Sequence, residues 1–380
     1  MNDRSVALLE QYEIEVLRTR KGRGAILCET GQGCLIFKEY TGKEEQLRLQ
    51  EQVLIQLATE GSVSAERLIP TKEGKLSVTD RDGVRYILKT WNEGRECNIR
   101  DLEECLEAMR LLAKMHEVLT FVPQFPQTEK VGQDTPGEGT VCKELSGKEI
   151  TEESGKEPIK EPAEESAEEM LESPVEKAPL PTIERYLPSR DYEKHNRELK
   201  RARRFLKQRS QKTWFEIRLS GVIDPFLEEA KSLSEEWKAI ETSALAKTQS
   251  EIFCFCHGDY QYHNILKQDR GFFLVNFEKC QADGPVRDLY LLLRKLLEKS
   301  GWNADLGMAL LSAYESVRPL TTLERQDLFY RMSYPEKLWK IVNFYYNSGK
   351  AWIPGKNMEK LDLLLEQEPA RKRFLKMLQQ

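Results

Sequence analysis

The sequence predicts an α+β chain of two unequal lobes: a small β-rich N-terminal lobe with one helix, then a larger, mainly helical C-terminal lobe. Three observations predict it. Short β-prone runs separated by glycine turns fill 12–40 and return at 76–91. Helical periodicity dominates from Ile183 to the end. Within that helical part, strand-like runs appear at 251–256 and 272–277, flanking a polar loop.

The first lobe opens with a three-strand meander. Ile14-Glu15-Val16-Leu17, Ala25-Ile26-Leu27-Cys28 and Leu35-Ile36-Phe37-Lys38 are separated by Gly22-Arg23-Gly24 and Gly31-Gln32-Gly33. Glu44 to Glu60 places Leu47, Val53, Leu54 and Leu57 at near-helical spacing, which predicts an amphipathic helix. Strands follow at Leu76–Thr79 and Tyr86–Trp91, joined through an Asp82-Gly83 turn. This places the lobe at 1–93 and the start of the helical lobe at 94–125. The segment 126–182 is rich in Glu, Lys, Pro, Ser and Gly and lacks aromatic residues. It has too little apolar surface to offset the entropy of ordering, so it is expected to be a disordered acidic insert acting as a spacer. The helical lobe continues over 183–380. It contains a basic stretch at 198–212, expected to be a solvated helix face, and an aromatic stretch, Trp339 to Trp352, expected to be mostly core.

Composition narrows the functional classes. The 58 basic and 63 acidic residues leave a net charge of -5, which gives no overall basis for non-specific nucleic-acid binding. No apolar run approaches the roughly 18 residues that suggest a membrane span, and the N-terminal residues lack an apolar signal region. The eight cysteines form no CxxC pair and have no histidine at zinc-finger spacing, so free thiols are expected. Cys254 and Cys256 read as small apolar side chains on one strand face.

Chemistry concentrates in His257-Gly258-Asp259-Tyr260-Gln261-Tyr262-His263-Asn264 and, twelve residues on, Asn276-Phe277-Glu278. An Asp and an Asn five residues apart on one loop can present a carboxylate to a substrate hydroxyl and an amide oxygen to a nucleotide-bound Mg²⁺, as phosphoryl transfer requires. Asp259 and Asn264 are therefore the candidate catalytic base and metal ligand. His257 reads as a buried residue that orients the loop backbone. Strand alternation would put Asn276 and Glu278 on one face as further metal ligands, but Asn276 stands where a second carboxylate is wanted. In the first lobe, Gly22 and Gly24 can close over phosphates without Cβ clashes, and Lys38 on the third strand can reach phosphate oxygens. A helix glutamate would hold that lysine. Glu51 is the candidate, since Glu44 and Glu45 sit in the first turn, where they favour the helix dipole.

These elements, together with Asp288-Leu289-Tyr290, resemble the aminoglycoside phosphotransferase and choline kinase superfamily, whose signature is HGD, four residues, N, then IDF or IDW. A narrower resemblance is to the CotS-type spore coat family of endospore formers. It is carried by Trp91-Asn92-Glu93-Gly94-Arg95-Glu96-Cys97, the loop from Cys256 to Asn264, Val286-Arg287-Asp288-Leu289-Tyr290, Tyr334-Pro335-Glu336-Lys337 and Trp352-Ile353-Pro354. The resemblance implies a bilobal kinase-like fold with ATP and Mg²⁺ in the cleft and Leu88–Glu93 as hinge. It further implies Lys38 as phosphate-binding lysine, Asp259 as base, Asn264 as metal ligand and Asp288 as a structural aspartate steadying the loop; Asn276 departs from the metal-binding Asp.

The expected function is a spore coat protein with a phosphotransferase fold, transferring phosphoryl groups from ATP to a hydroxyl through Asp259. The alternative is a weak or inactive pseudokinase serving coat assembly. A small-molecule phosphotransferase of the aminoglycoside or choline type ranks third. Expected partners are other coat proteins or a hydroxyl-bearing small molecule. The expected location is the mother-cell cytoplasm and then the spore coat.

Overall fold

The computed structural model describes residues 6–22, 24–121, 187–247, 253–347 and 354–379. The acidic insert expected at 126–182, and Trp352 and Ile353 of the last motif, lie outside the described residues.

Strands β1 (Val16–Gly22), β2 (Ala25–Thr30), β3 (Gly33–Glu39), β4 (Val78–Thr79) and β5 (Arg85–Trp91) form one antiparallel sheet in the order β1-β2-β3-β5-β4. Alternation along the strands decides what each face does. Ile26, Cys28, Phe37, Val78, Tyr86 and Leu88 join Leu9 and Tyr12 in an apolar cluster on one side, where Phe37 stacks on Tyr86. The other side carries Lys38, Tyr40, Ile87 and Lys89. Tyr40 and Ile87 pack with Leu47 of helix α1 (Glu44–Glu60).

Helix α1 forms where its apolar spacing predicts and ends at Gly61, whose φ of +66° suits a residue without a Cβ. Its buried Leu47, Val53, Leu54 and Leu57 each contribute about 1.5–3 kcal/mol of apolar transfer before entropic costs are set against it.

The second lobe begins after β6 (Arg95–Glu96) with α2 (Leu102–Val118), N-capped by Asp101 through the amides of Glu103 and Glu104. Gly94 sits where a Cβ would meet the Lys267 carbonyl at 2.9 Å, so the chain between the lobes can pass close to β9 (Ile265–Gln268) only as glycine. β7 (Thr120–Phe121), β8 (Phe253–Cys256) and β11 (Gln281–Asp283) form one small sheet; β6, β9 and β10 (Gly271–Leu274) form another. The main core joins α2 to α6 (Val286–Lys299), α7 (Ala304–Glu315), α8 (Thr322–Ser333) and Phe374 of α10 (Pro354–Leu378). A second apolar cluster lies among α3 (Pro188–Gln208), α4 (Trp214–Ser220), α5 (Ile223–Lys247) and α9 (Glu336–Asn347). In it Tyr345 is buried, and Trp339 stacks on His195 at 3.5 Å; Phe344 stays exposed. Among the described aromatic residues of that stretch only Tyr345 is fully core, with Trp339 and Tyr346 half-buried.

The strand expected at 272–277 stops at Leu274. Asn276 turns into the left-handed region (φ 69°, ψ 54°), and a short 3-10 turn covers Phe277–Lys279. Strand alternation therefore does not relate Asn276 to Glu278; the turn does. Asn is among the few L-residues that adopt this conformation at small cost.

Candidate functional site

The loop after β8 is held from behind. Asp288, fully buried on α6, accepts the backbone N–H groups of His257 at 2.5 Å and Gly258 at 2.9 Å. His257, also buried, accepts the Asp259 N–H at Nδ1 (3.2 Å), so its Nε2–H donates to the Val275 carbonyl (2.9 Å). Its ring thus ties the loop to the strand end leading to Asn276. Gly258 has φ +78°, and a Cβ there would lie 1.9 Å from the Lys279 carbonyl oxygen, so only glycine lets the two segments pack. His263 is exposed on the surface.

The Asp259 carboxylate accepts Lys279 Nζ at 2.7 Å and Gln261 Nε2 at 2.5 Å. Burial would raise its pKa, but these donors outweigh burial and hold it below the usual aspartate value. Asn264 donates to the Asp259 carbonyl (2.8 Å), and its Oδ1 accepts Asn276 Nδ2 (2.8 Å).

Lys38 reaches this site from β3, and its surroundings depart from expectation. Gly22 pairs with Ala25, and Ala25 with Lys38, so the glycine turn, with Gly24 at φ +75°, is in register with the lysine. Lys38 Nζ binds Glu278 at 2.8 Å, which corrects the expected pairing with Glu51. The reason is helical phase. α1 presents Gln46 and Gln50 to the site, where Gln46 donates to the Cys280 carbonyl (2.6 Å) and Gln50 meets Glu66 at 3.5 Å. Glu51 is rotated about 100° from Gln50, and burial, partly offset by Arg48, raises its pKa.

Two residues at the centre escaped the sequence reading. Lys89 on β5 is 1% exposed and donates to Glu66 (2.7 Å), Glu278 (2.9 Å) and Asn276 Oδ1 (3.2 Å). Glu66, also 1% exposed, further accepts the backbone N–H groups of Asn276 (2.9 Å) and Phe277 (3.1 Å). A lysine inside the apolar run Tyr86-Ile87-Leu88-Lys89 was a visible signal, because a buried ammonium demands a partner. Glu66 lies in an irregular segment with no pattern to mark it. Between two ammonium groups, Glu278 titrates at about 2: burial opposes ionisation, and Lys89 and Lys38 overcome it.

This donor set does not fit Mg²⁺. The side-chain oxygens of Asn264 and Asn276 accept internal donors, and the one nearby carboxylate of the 276–278 segment is neutralised twice over. A dication drawn to these oxygens would have to displace the Lys38 and Lys89 ammonium groups that already hold them.

Other clusters are structural. Behind the loop, ligand atoms of His116, Cys254 and Cys256 lie within 4.8 Å of one another, a third ligand that spacing did not reveal. Both thiols donate to backbone carbonyls, His116 Nδ1 meets the Tyr314 hydroxyl at 2.8 Å, and burial holds Cys256 strongly in the thiol form. Two of the family motifs meet where the Tyr290 hydroxyl donates to Glu336.

A sheet lobe bearing a lysine, a buried-aspartate-braced loop and a helical lobe define a phosphotransferase scaffold. The chain belongs to the phosphotransferase enzyme family, whose profile matches residues 21–320. It is similar to spore coat protein S of Bacillus subtilis (strain 168), with 31% identity over 123 residues. That stretch is 32% of this chain and 35% of that protein, so the match spans about a third of the relative's length.

Among solved structures it resembles an aminoglycoside phosphotransferase from Alicyclobacillus acidocaldarius (TM-score 0.70, 16% identity, covering 98% of this chain and 95% of that one). It also resembles a spectinomycin phosphotransferase in complex with ADP and spectinomycin (TM-score 0.53, 12% identity, 95% and 92%). At these identities the likeness establishes the bilobal kinase-like fold expected from the sequence. Among the described residues no helix is long and apolar enough to cross a membrane.

Proposed function

We propose that this chain is a spore coat component whose cleft binds a nucleotide polyphosphate and in which phosphoryl transfer is attenuated. The likeness to spore coat protein S supports the coat assignment, and with it coat proteins as partners after synthesis in the mother cell. Nucleotide binding is supported by Lys38, 28% exposed in its side chain and in register with the glycine turn, and by relatives of this fold solved with ADP or AMP-PNP. Lys38 would hold phosphate oxygens beneath the Gly22–Gly24 turn, and Leu88–Glu93 would line the base.

The observation that carries attenuation is the Asn264–Asn276 pair. It stands at the metal side of the site without a free carboxylate. Asp259 can orient a hydroxyl, since each of its oxygens keeps a lone pair beyond its present donor. Its lowered pKa makes it a poor proton acceptor, so positioning is its main contribution.

Titration calorimetry with ATP tests the reading. The wild type should bind, and Lys38→Met should weaken binding at least about tenfold, the loss of one charge-assisted phosphate contact. Single-turnover assays with γ-labelled ATP should show little transfer. Absence of binding overturns the proposal. Active transfer to a hydroxyl is the second reading, favoured by the 21% exposure of the Asp259 side chain at the cleft; fast single turnover with an added hydroxyl acceptor would establish it instead.

A further inference from the structure

Resting on the nucleotide-binding reading above, we propose that the Lys89 ammonium is a resident cation in the phosphate-side cleft, so that a nucleotide polyphosphate binds here without a divalent metal. Lys89 occupies the centre of an oxygen shell. Its three N–H donors meet Glu66 at 2.7 Å, Glu278 at 2.9 Å and Asn276 at 3.2 Å, which uses every donor an ammonium has. Asn276 and Glu278 are the residues expected from the sequence to hold a metal, and here their oxygens face a fixed positive charge.

The shell is built in. Glu66 holds Lys89 with one carboxylate oxygen, and its two oxygens also accept the N–H groups of Asn276 and Phe277, fixing the left-handed turn that points Asn276 at the lysine. The sheet fixes the lysine's place. Lys38 pairs with Ile87, so Lys89 lies two residues further along β5 on the same face. Both ammonium groups share one oxygen of Glu278.

Charge follows from this geometry. Lys38 and Lys89 balance Glu66 and Glu278, so the cluster is neutral as it stands. A divalent cation would find the oxygens of Asn276 and Glu278 already held by ammonium donors. A polyphosphate needs none of them: it can take Lys38 from Glu278, because Glu278 stays paired with Lys89. The exchange breaks one ion pair and forms another, leaving no buried carboxylate without an ammonium.

The test is calorimetric titration of the full chain with ATP and with ADP, once in EDTA and once in excess Mg²⁺. Dissociation constants within about threefold of each other are expected, against the tenfold or greater preference for the metal complex that a metal-dependent site shows. Mn²⁺ alone, followed by electron paramagnetic resonance, should show no bound fraction in the wild type. The double variant Glu66→Gln/Lys89→Met removes the resident charge together with its buried partner; it should lose binding in EDTA by at least about tenfold, and unchanged binding in EDTA would overturn the proposal.

Nucleotide bound in Mg²⁺ but not in EDTA, or Mn²⁺ bound by the wild type, overturns the resident-cation proposal and leaves the nucleotide reading standing. No nucleotide binding in either buffer overturns both. The wild-type comparison requires no variant to fold.

Discussion

Removing the Lys89 ammonium alone should be among the costliest single changes this chain can suffer, and removing its partner as well should be cheaper. Lys89→Met keeps the length and apolar stem of the side chain but leaves Glu66, 1% exposed, as a buried carboxylate with only two backbone N–H donors and a weak contact from Gln50. Breaking a buried pair in this way costs about 3–5 kcal/mol. In Glu66→Gln/Lys89→Met no charge is stranded; what is lost is a charge-assisted hydrogen bond to the turn, about 1.5–3 kcal/mol. The double variant should therefore be more stable than the single one by about 1–2 kcal/mol, whereas a second, independent destabilising change would make it less stable. Urea unfolding followed by far-ultraviolet circular dichroism measures all three proteins. A Lys89→Met protein within about 1 kcal/mol of wild type would mean that Glu66 does not depend on this ammonium, as would a double variant less stable than the single.

Gly258→Ala forces a Cβ to 1.9 Å from the Lys279 carbonyl at a φ of +78°, so it should cost about 2–4 kcal/mol and lower the thermal midpoint; an unchanged midpoint would mean the loop and the 277–280 segment do not pack as described. Asp288→Asn should cost about 2–3 kcal/mol, since the amide presents one acceptor oxygen to the N–H groups of both His257 and Gly258; amide exchange at these two positions should accelerate. Glu278, held at about 2 instead of 4.5, contributes stability present above pH 4.5 and lost as pH falls towards 2, on the order of 3 kcal/mol in full. Thermal midpoints measured from pH 6 down to 3 should fall more steeply in the wild type than in Glu278→Gln, and parallel curves would remove the assignment.

Local patterning accounts for most of the secondary structure. Period-two runs with glycine turns marked the N-terminal sheet, and Leu47, Val53, Leu54 and Leu57 marked α1 to the residue. The His257–Asn264 loop was legible because its polar residues fall at short, local spacing, and Asp259, Asn264, His257 and Asp288 do converge around it.

The charge pairing comes from long-range packing. Lys38 meets Glu278 across 240 positions of sequence, and Lys89 meets Glu66 and Glu278 across 23 and 189. A lysine–carboxylate pair has no period and no preferred spacing, so nothing local announced that Glu51 would be out of phase or that Glu66 would brace the turn at Asn276. Burial selects such partners: an ammonium placed on the inner face of the sheet takes the carboxylates that the fold brings to it. The same physics limited the reading of 272–277. Its apolar residues fit a strand, and the left-handed turn that ends the strand is stabilised by contacts from Glu66 and Lys89 that sequence spacing does not encode.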